Sequence, residues 1–532
     1  MNTTTDSTDY SVEPTAESLQ LDYMTACGSV SSAKLSRHLA TSGFGRLASV
    51  RLNDDGPTWV RVDNGRLASM TERDVRRFLC EEAEQAQCED DVIDAILHSR
   101  SLTPALTKLP LLALDGEVRQ ARPVPLLRDE PHTVRFPFDN GIVTITADDM
   151  AVIPYAEQKG VIWESQVVPR AITVDPFAKG RFEQFCEQAF YRQTGTGAAR
   201  WTDDFALTPE AAEQYRAFQG ALGYLLHNYR DPANPRAVLF VDMDSDQSMA
   251  EGGNGKSLTL RVLKYLRDVL FQDGKRYGAS REGGRFQFSN VTPTTQVVVL
   301  DDVQKSFNFA TLFALLSGDM ETERKGRDKT VIPSHRVPKV AITTNHLIPP
   351  SGASFERRLY IVEFGSYWTT AYRHDEQISD PLHMGCRLFE SGFTEQDWQD
   401  AFNYLFRCVQ LYLRDGVKQA PLALYRMKAL RREMGAEFVD WAMDFFETYE
   451  KRNVDPQEGE YLSDLCKSMK VHSSDARCQP ADFAAWLKRM GEQCGYEYNP
   501  HKADKGNTPT ARRWRITDAF GRNEDAVFFV RR

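Results

Sequence analysis

At 532 residues the chain is too long for one hydrophobic core, and the usual size of a domain implies three or four units. With 41% hydrophobic and 26% charged residues the composition is that of a globular protein, and no window approaches the roughly 18 apolar residues of a membrane span. A net charge of −10 argues against a surface that coats nucleic acid over its whole extent, yet it leaves room for basic groups confined to a few loops.

In chain order, residues 1–18 are rich in Thr, Ser, Asp and Glu, lack a basic start and an apolar run, and read as a disordered, non-secretory tail. Residues 19–125 mix helical patterns, such as Thr71 to Gln87, with a Pro-rich exit at Arg122-Pro123-Val124-Pro125 that reads as a boundary; their role is not legible. Residues 126–230 form a connector. Val134 to Val168 alternates as short strands do, with a hairpin turn expected at Asn140-Gly141, and Phe182 to Tyr229 has helical spacing. The nine cysteines contain no CxxC pair, and the scatter Cys466, His472, Cys478, Cys494 does not match zinc-ligand spacing, so buried reduced thiols are expected.

Chemistry becomes legible in residues 231–370. An apolar run, Ala237 to Val241, leads into Gly252-Gly253-Asn254-Gly255-Lys256-Ser257 and an amphipathic segment, Ser257 to Leu270, which predicts strand, Gly-rich loop and helix. Small residues let backbone N–H groups curl around a β-phosphate, and the helix N-terminus adds positive potential. Lys256 would bridge the β- and γ-phosphates of ATP, and the Ser257 hydroxyl would ligate Mg²⁺. Ala250 stands where the strict pattern has Gly, a departure of one methyl group. A Gly-rich surface turn is the plainer alternative for the loop alone.

Farther on, Val297-Val298-Val299-Leu300-Asp301-Asp302 reads as a buried parallel strand with carboxylates at its C-terminal edge. Asp301 would hold Mg²⁺ through water, and Asp302 would orient and deprotonate the attacking water. A third strand, Lys339 to Thr344, ends at Asn345, a candidate polar sensor that would hydrogen-bond the γ-phosphate or the attacking water. Arg357 and Arg358 precede a short apolar strand, Tyr360 to Phe364, and either is a candidate arginine finger, with Arg358 preferred; a surface salt bridge to Glu356 or Glu363 is the alternative. Residues 371–424 are expected to form a helical lid or connector, ending in a Pro- and Leu-rich joint. Residues 425–532 form a C-terminal unit with helices near Phe438–Tyr449 and Pro480–Cys494, a basic cluster at Arg512-Arg513-Trp514-Arg515 and a strand at Ala526 to Val530, an order that suits a winged-helix-like domain.

The phosphate loop, Asp-Asp strand, basic segment and Asn-ended strand packed into Ala250 to Asn345 resemble superfamily 3 helicases, a branch of the AAA+ ATPases. More closely, Gly252 to Ser257, Leu316-Ser317-Gly318-Asp319, Arg324-Lys325-Gly326 and Thr343-Thr344-Asn345-His346 look like the phage and plasmid primase-helicase family, whose poxvirus relatives share the module. Phe138 to Val143 and Leu222 to Leu226 look like that family's pre-helicase region, so the resemblance spans about Val134 to Phe364. It implies an α/β fold, an AAA+ P-loop core with a parallel sheet flanked by a mixed α+β N-terminal region and the C-terminal unit. It further implies a homohexamer on single-stranded DNA and forked duplex, moving 3′ to 5′, in the cytoplasm of a bacterial or phage-infected cell, with primase or other replication proteins as partners and no membrane. By the same resemblance, DNA would be held by the hairpin Glu323 to Arg336 through Arg324, Lys325, Arg327 and Lys329. No acidic metal motif of a primase precedes Val134. An ATP-dependent switch or loader would use the same nucleotide site without unwinding, whereas an origin-binding initiator would recognise DNA through the N- and C-terminal units with a degenerate ATPase.

Overall fold

The computed structural model describes residues 21–47, 59–114, 120–190, 207–231, 233–242, 253–277, 288–292, 294–304, 307–322, 330–346, 357–365, 367–368, 385–455, 458–472, 480–500, 514–517 and 521–531. The expected tail therefore lies outside the described residues.

The N-terminal part comprises α1 (Ser32–Thr41), β1 (Phe44–Leu47), β2 (Trp59–Asp63), β3 (Arg66–Met70), α2 (Glu72–Gln85), α3 (Asp90–Leu97), α4 (Leu102–Thr107), β4 (Leu111–Leu114) and β5 (Arg122–Val124). Helix α2 starts where the sequence predicts, because Thr71 and Asp74 cap each other reciprocally: the Asp74 N–H donates to Thr71 Oγ1 at 3.2 Å and the Thr71 N–H to Asp74 Oδ2 at 2.9 Å. The Pro-rich stretch is itself a strand. Arg122–Val124 runs parallel to β4 as an edge strand, the place in a sheet where proline's missing N–H is tolerated.

Next come β6 (Val134–Phe138), β7 (Gly141–Ile145), β8 (Met150–Ile153), β9 (Ile162–Trp163), α5 (Arg181–Gln188) and α6 (Pro209–Leu226). β6 to β8 form an antiparallel meander, while β9 pairs back onto β3, so the N-terminal sheet, in the order β5-β4-β1-β2-β3-β9, draws in chain from beyond residue 125. The hairpin turn falls on Asp139-Asn140, one residue earlier than expected, because Phe138 already pairs with Gly141.

The central sheet is built from β10 (Ala237–Asp242), then, after α7 (Lys256–Arg261), β11 (Val269–Asp273), β12 (Val297–Asp301), α8 (Ala310–Ser317), the hairpin β13 (Met320–Thr322) and β14 (Thr330–Ile332), β15 (Lys339–Thr344) and β16 (Leu359–Phe364). Its order is β11-β12-β15-β10-β16 and every pairing is parallel. Alternate residues feed two cores. Val238, Phe240, Val297, Val299, Ala341, Val362 and Phe364 face one apolar layer with α5 and α6, and Leu239, Val298, Leu300, Val340, Ile342 and Ile361 face the other with α8. Burial on both faces explains why these strands read as unbroken apolar runs rather than alternating ones. The expected helix from Ser257 to Leu270 is shorter than its periodicity implies. It loosens into a 3₁₀ turn over Val262–Tyr265, and Val269–Asp273 becomes β11, since pairing with the apolar β12 outweighs local helical spacing.

Beyond the sheet lie α9 (Glu395–Asp415), α10 (Ala423–Met434), α11 (Ala436–Thr448), β17 (Glu460–Tyr461), α12 (Leu462–His472), α13 (Pro480–Gln493), β18 (Tyr496–Tyr498), β19 (Trp514–Thr517), β20 (Asn523–Val527) and β21 (Phe529–Arg531). Helix α9 packs along α6 and against the meander through Phe136–Phe406 and Phe138–Phe402 ring contacts. The expected strand Ala526 to Val530 is divided between β20 and β21, which pair with different partners, β19 and β17 on one side and β18 on the other. In that unit Trp514 is buried and Arg515 pairs with Asp525 at 3.3 Å, whereas Arg512 and Arg513 lie outside the described residues. Of the described cysteines, Cys186, Cys386, Cys408 and Cys466 are buried as expected, but Cys27 is exposed and Cys80, Cys88 and Cys494 are half-buried. No described helix is long and apolar enough to cross a membrane.

Candidate active site

Three neighbouring strands, β12, β15 and β10, end at the same edge, and the C-terminal edge of a parallel sheet is where ligands of open α/β folds bind. β10 ends on Asp242, which is only 6% exposed. Gly252 lies outside the described residues. Gly253 and Gly255 take φ values of 90° and 88°, the left-handed conformation that only glycine adopts without strain, and this turns the chain sharply into α7 with Asn254 buried between them.

That turn places Lys256 as the first residue of α7, 6% exposed, ion-paired with Asp242 and donating to Asn345 Oδ1 at 3.0 Å. Asn254 Nδ2 also donates to Asp242 Oδ1, at 2.6 Å, so the loop is stitched to the end of its own strand. Ser257 Oγ donates to Asp301 Oδ1 at 2.6 Å. Asp301 Oδ1 also accepts from Thr343 Oγ1 at 2.7 Å, and the Asp302 N–H donates to the same threonine oxygen at 2.8 Å. Asn345 Nδ2 reaches Asp302 Oδ1 at 3.4 Å, and Lys275 Nζ reaches Asp302 Oδ2 at 2.8 Å. Lysine 275 is held more firmly protonated than usual, first by its hydrogen bond to Asp302 and then by the charge of that carboxylate. Asp302 itself has φ 60°, an uncommon conformation for a residue with a side chain, over-determined by these three contacts.

Lys256, Ser257, Asp301, Asp302 and Asn345, expected from the sequence, thus form one connected network. The two arginines are elsewhere. They sit at the entry of β16, whose first residue pairs with the first residue of β10, so they lie at the opposite edge of the sheet, roughly 20 Å along a six-residue strand from the loop. Arg357 is exposed, and Arg358 is half-buried with its guanidinium 4.9 Å from the Phe313 ring centre. Arg324, Lys325, Arg327 and Lys329 lie outside the described residues, in the span that joins β13 to β14.

Three members of the network were missed. Asp242 follows the apolar run of β10 without a break, Thr343 lies inside a strand already recognised, and Lys275 follows β11, whose first two residues close the segment expected to be helical. Asp242 could have been found from the rule that an acid closing a buried strand needs a partner; Thr343 and Lys275 become visible only once the strand order is known. Beside the network a cleft of about 710 Å³ is lined by Arg261, Lys264 and Lys275 together with Asp273, Asp301 and Asp302.

The residues fit a nucleotide and a divalent cation. Backbone N–H groups at a left-handed loop opening a helix, with a buried lysine, make a phosphate cradle. A serine hydroxyl and a carboxylate in mutual contact are hard oxygen donors of the kind Mg²⁺ takes. Asn254 Oδ1 is buried with no hydrogen-bond partner, a polar atom left for something beyond the chain's own contacts.

No family model and no curated protein matches the chain. Among solved structures it is similar to the A form apo structure of the NrS-1 C terminal region, at 11% identity over 93% of this chain and 98% of that one, with a TM-score of 0.38. A second structure of that region, delimited as 305–718, is 12% identical over 86% of this chain and 90% of that one, with a TM-score of 0.34. A JCV helicase bound to a thiazolopyridine acetamide is 16% identical over 42% of this chain and 66% of that one, with a TM-score of 0.21.

Proposed function

We propose that this chain is an ATP-hydrolysing motor with an AAA+ core of the superfamily 3 kind, and that it couples hydrolysis to separation of DNA strands during replication of a phage, plasmid or other mobile element. One observation carries the ATPase part: Ser257 meets Asp301 at 2.6 Å while Lys256 meets Asn345 at 3.0 Å, which joins a phosphate-type loop to the ends of two other parallel strands. Phosphoryl transfer needs little else from a protein than charge and position, and this network supplies both.

In this reading Gly252 to Ser257 hold the phosphates and Lys256 exchanges Asp242 for β- and γ-phosphate oxygens. Ser257 and Asp301 hold Mg²⁺, which supplies charge neutralisation at those oxygens. Asp302 accepts the proton of the attacking water, and Asn345 orients it. An arginine finger has to come from a neighbouring copy, because both candidates lie at the far edge of their own sheet; exposed Arg357 suits that role better than Arg358, which is stacked on Phe313. Arg324, Lys325, Arg327 and Lys329, carried between β13 and β14, would track DNA phosphates through the ring.

The test is ATP hydrolysis with and without single-stranded DNA, alongside unwinding of a forked duplex, for wild type and Lys256→Ala. DNA-stimulated hydrolysis with unwinding, both abolished in the variant, is the expected outcome. Hydrolysis without unwinding would replace the motor by a switch or loader, and no hydrolysis in any oligomeric state would leave only the non-hydrolysing initiator.

A further inference from the structure

A lysine buried in an empty phosphate loop needs a counter-charge, and here the fold supplies one at the end of the loop's own strand. Asp242 closes β10, is 6% exposed, and lies across from buried Phe364 of the neighbouring β16. Among the described residues its one ion pair is with Lys256. Asn254 Nδ2 donates to the same oxygen, Asp242 Oδ1, at 2.6 Å. The carboxylate thus engages donors of the loop that an incoming anion would need.

An ammonium has three N–H donors. Two are engaged, by Asp242 and by Asn345 Oδ1 at 3.0 Å, and bridging a β- and a γ-phosphate takes two. Asp242 or Asn345 must therefore give way, and in either case the carboxylate is left buried beside phosphate oxygens that share its ammonium or take it. Two acceptors of one ammonium lie about 4–5 Å apart, by its tetrahedral geometry. The carboxylate of Asp242 therefore meets phosphate charge at short range, and burial of both Asp242 and Lys256 makes that repulsion stronger than it would be in water. The outer side of the loop is open to such a ligand, since Gly253 is exposed and an added Cβ there would meet nothing within 4 Å.

We propose that Asp242 competes with bound nucleotide for Lys256 and so drives the departure of the spent diphosphate. While a γ-phosphate is present, its contacts with Lys256 and Asn345 offset the repulsion. Once it has left, the ammonium returns to Asp242 and the β-phosphate loses its hold. Asp242 is thus a positioning residue that acts through Lys256, and the inference rests on the reading of Gly252 to Ser257 as a nucleotide site.

The experiment is release of a fluorescent ADP analogue, chased with excess unlabelled ADP, from the full chain and from Asp242→Asn. Asparagine keeps an oxygen acceptor for Asn254 and Lys256 and removes only the charge. The variant should release ADP about 10- to 100-fold more slowly than wild type and bind it tighter in the same proportion, the effect of removing one like charge at about 5 Å. Asp242→Glu, which keeps the charge, should gain nothing. A residue that merely braces the loop would behave in the opposite way, because its loss can only weaken binding. Release from Asp242→Asn at the wild-type rate or faster, or an equal gain in Asp242→Glu, would overturn the proposal while leaving the nucleotide site intact. Without its counter-ion Lys256 should lower the melting temperature of free Asp242→Asn, and saturating ADP should close that gap because phosphate oxygens replace the carboxylate. A variant that does not fold even in saturating ADP would make Asp242 a brace of the fold and would equally overturn the proposal. If neither protein binds any nucleotide, the nucleotide reading itself has failed.

Discussion

Thr343 shows how much of the site depends on one hydroxyl. Its Oγ1 donates to Asp301 and accepts from the Asp302 N–H, so it fixes both the carboxylate nearest Ser257 and the backbone whose φ of 60° aims the next one. Valine keeps the β-branched shape that suits a strand and removes only this polar atom. Thr343→Val should therefore bind ATP nearly as wild type does, because the loop and Lys256 are untouched. Hydrolysis should fall about 10- to 100-fold, the effect of a misplaced catalytic group. Leaving the Asp302 N–H unpaired should cost about 1–2 kcal/mol of stability. Steady-state hydrolysis with urea unfolding checks both; a loss of affinity equal to the loss of rate would mean that Thr343 holds substrate rather than the carboxylates.

At the scale of elements, the phosphate loop is shaped from two sides. Gly253 and Gly255 share a left-handed φ, but an added Cβ at Gly253 meets nothing within 4 Å, while at Gly255 it meets the Phe185 ring at 2.6 Å. Gly253→Ala should thus carry only the backbone cost of about 1–2 kcal/mol. Gly255→Ala adds a clash that displaces α5 or α7, so its melting temperature and nucleotide affinity should both fall further. Equal effects would show that α5 yields freely and does not brace the loop. This division marks what was legible beforehand. The loop, its lysine and the acidic strand end are local patterns, because adjacent residues build them, and sequence shows them directly. The contacts of Asp242, Thr343 and Lys275 depend on which strands become neighbours, and β12 lies beside β15 although 37 residues separate the end of one from the start of the other. β11 was hidden because Val269 and Leu270 close the amphipathic segment that opens with α7, and only the pairing with β12 separates them from it.

Across the whole molecule, the edge of the sheet opposite the nucleotide loop is where the segment before the meander and the end of α6 join the core. Helix α6 ends there, and carbonyls of a helix C-terminus need donors. Lys339, the first residue of β15, donates to the carbonyl of Tyr224 at 2.6 Å and to that of His227, with its ammonium 4.1 Å from the Tyr224 ring centre. Arg267 donates to the Leu226 carbonyl at 2.7 Å and pairs with buried Asp129 at 2.7 Å, ahead of the meander. Burial, before any neighbouring charge, lowers the Lys339 pKa from 10.5 to about 7; Asp129 opposes the shift, and Arg267 and Arg230 add to it. Between about 7 and 10.5 the unfolded chain thus holds a proton that the folded chain does not. The contribution of Lys339 to stability is fully present above 10.5, declines as pH falls through that window, and is constant below about 7. Lys339→Met removes this dependence and leaves every other titrating group in place. From pH 7 to pH 9 the stability of wild type should rise relative to Lys339→Met by about 2–3 kcal/mol, at 1.36 kcal/mol per pKa unit. Urea unfolding of both proteins at the two pH values measures it. A gap that does not change would mean that Lys339 stays charged in the fold, its two carbonyl acceptors and the Tyr224 ring compensating for burial. The junction would then be held by an ammonium cap rather than by a neutral amine.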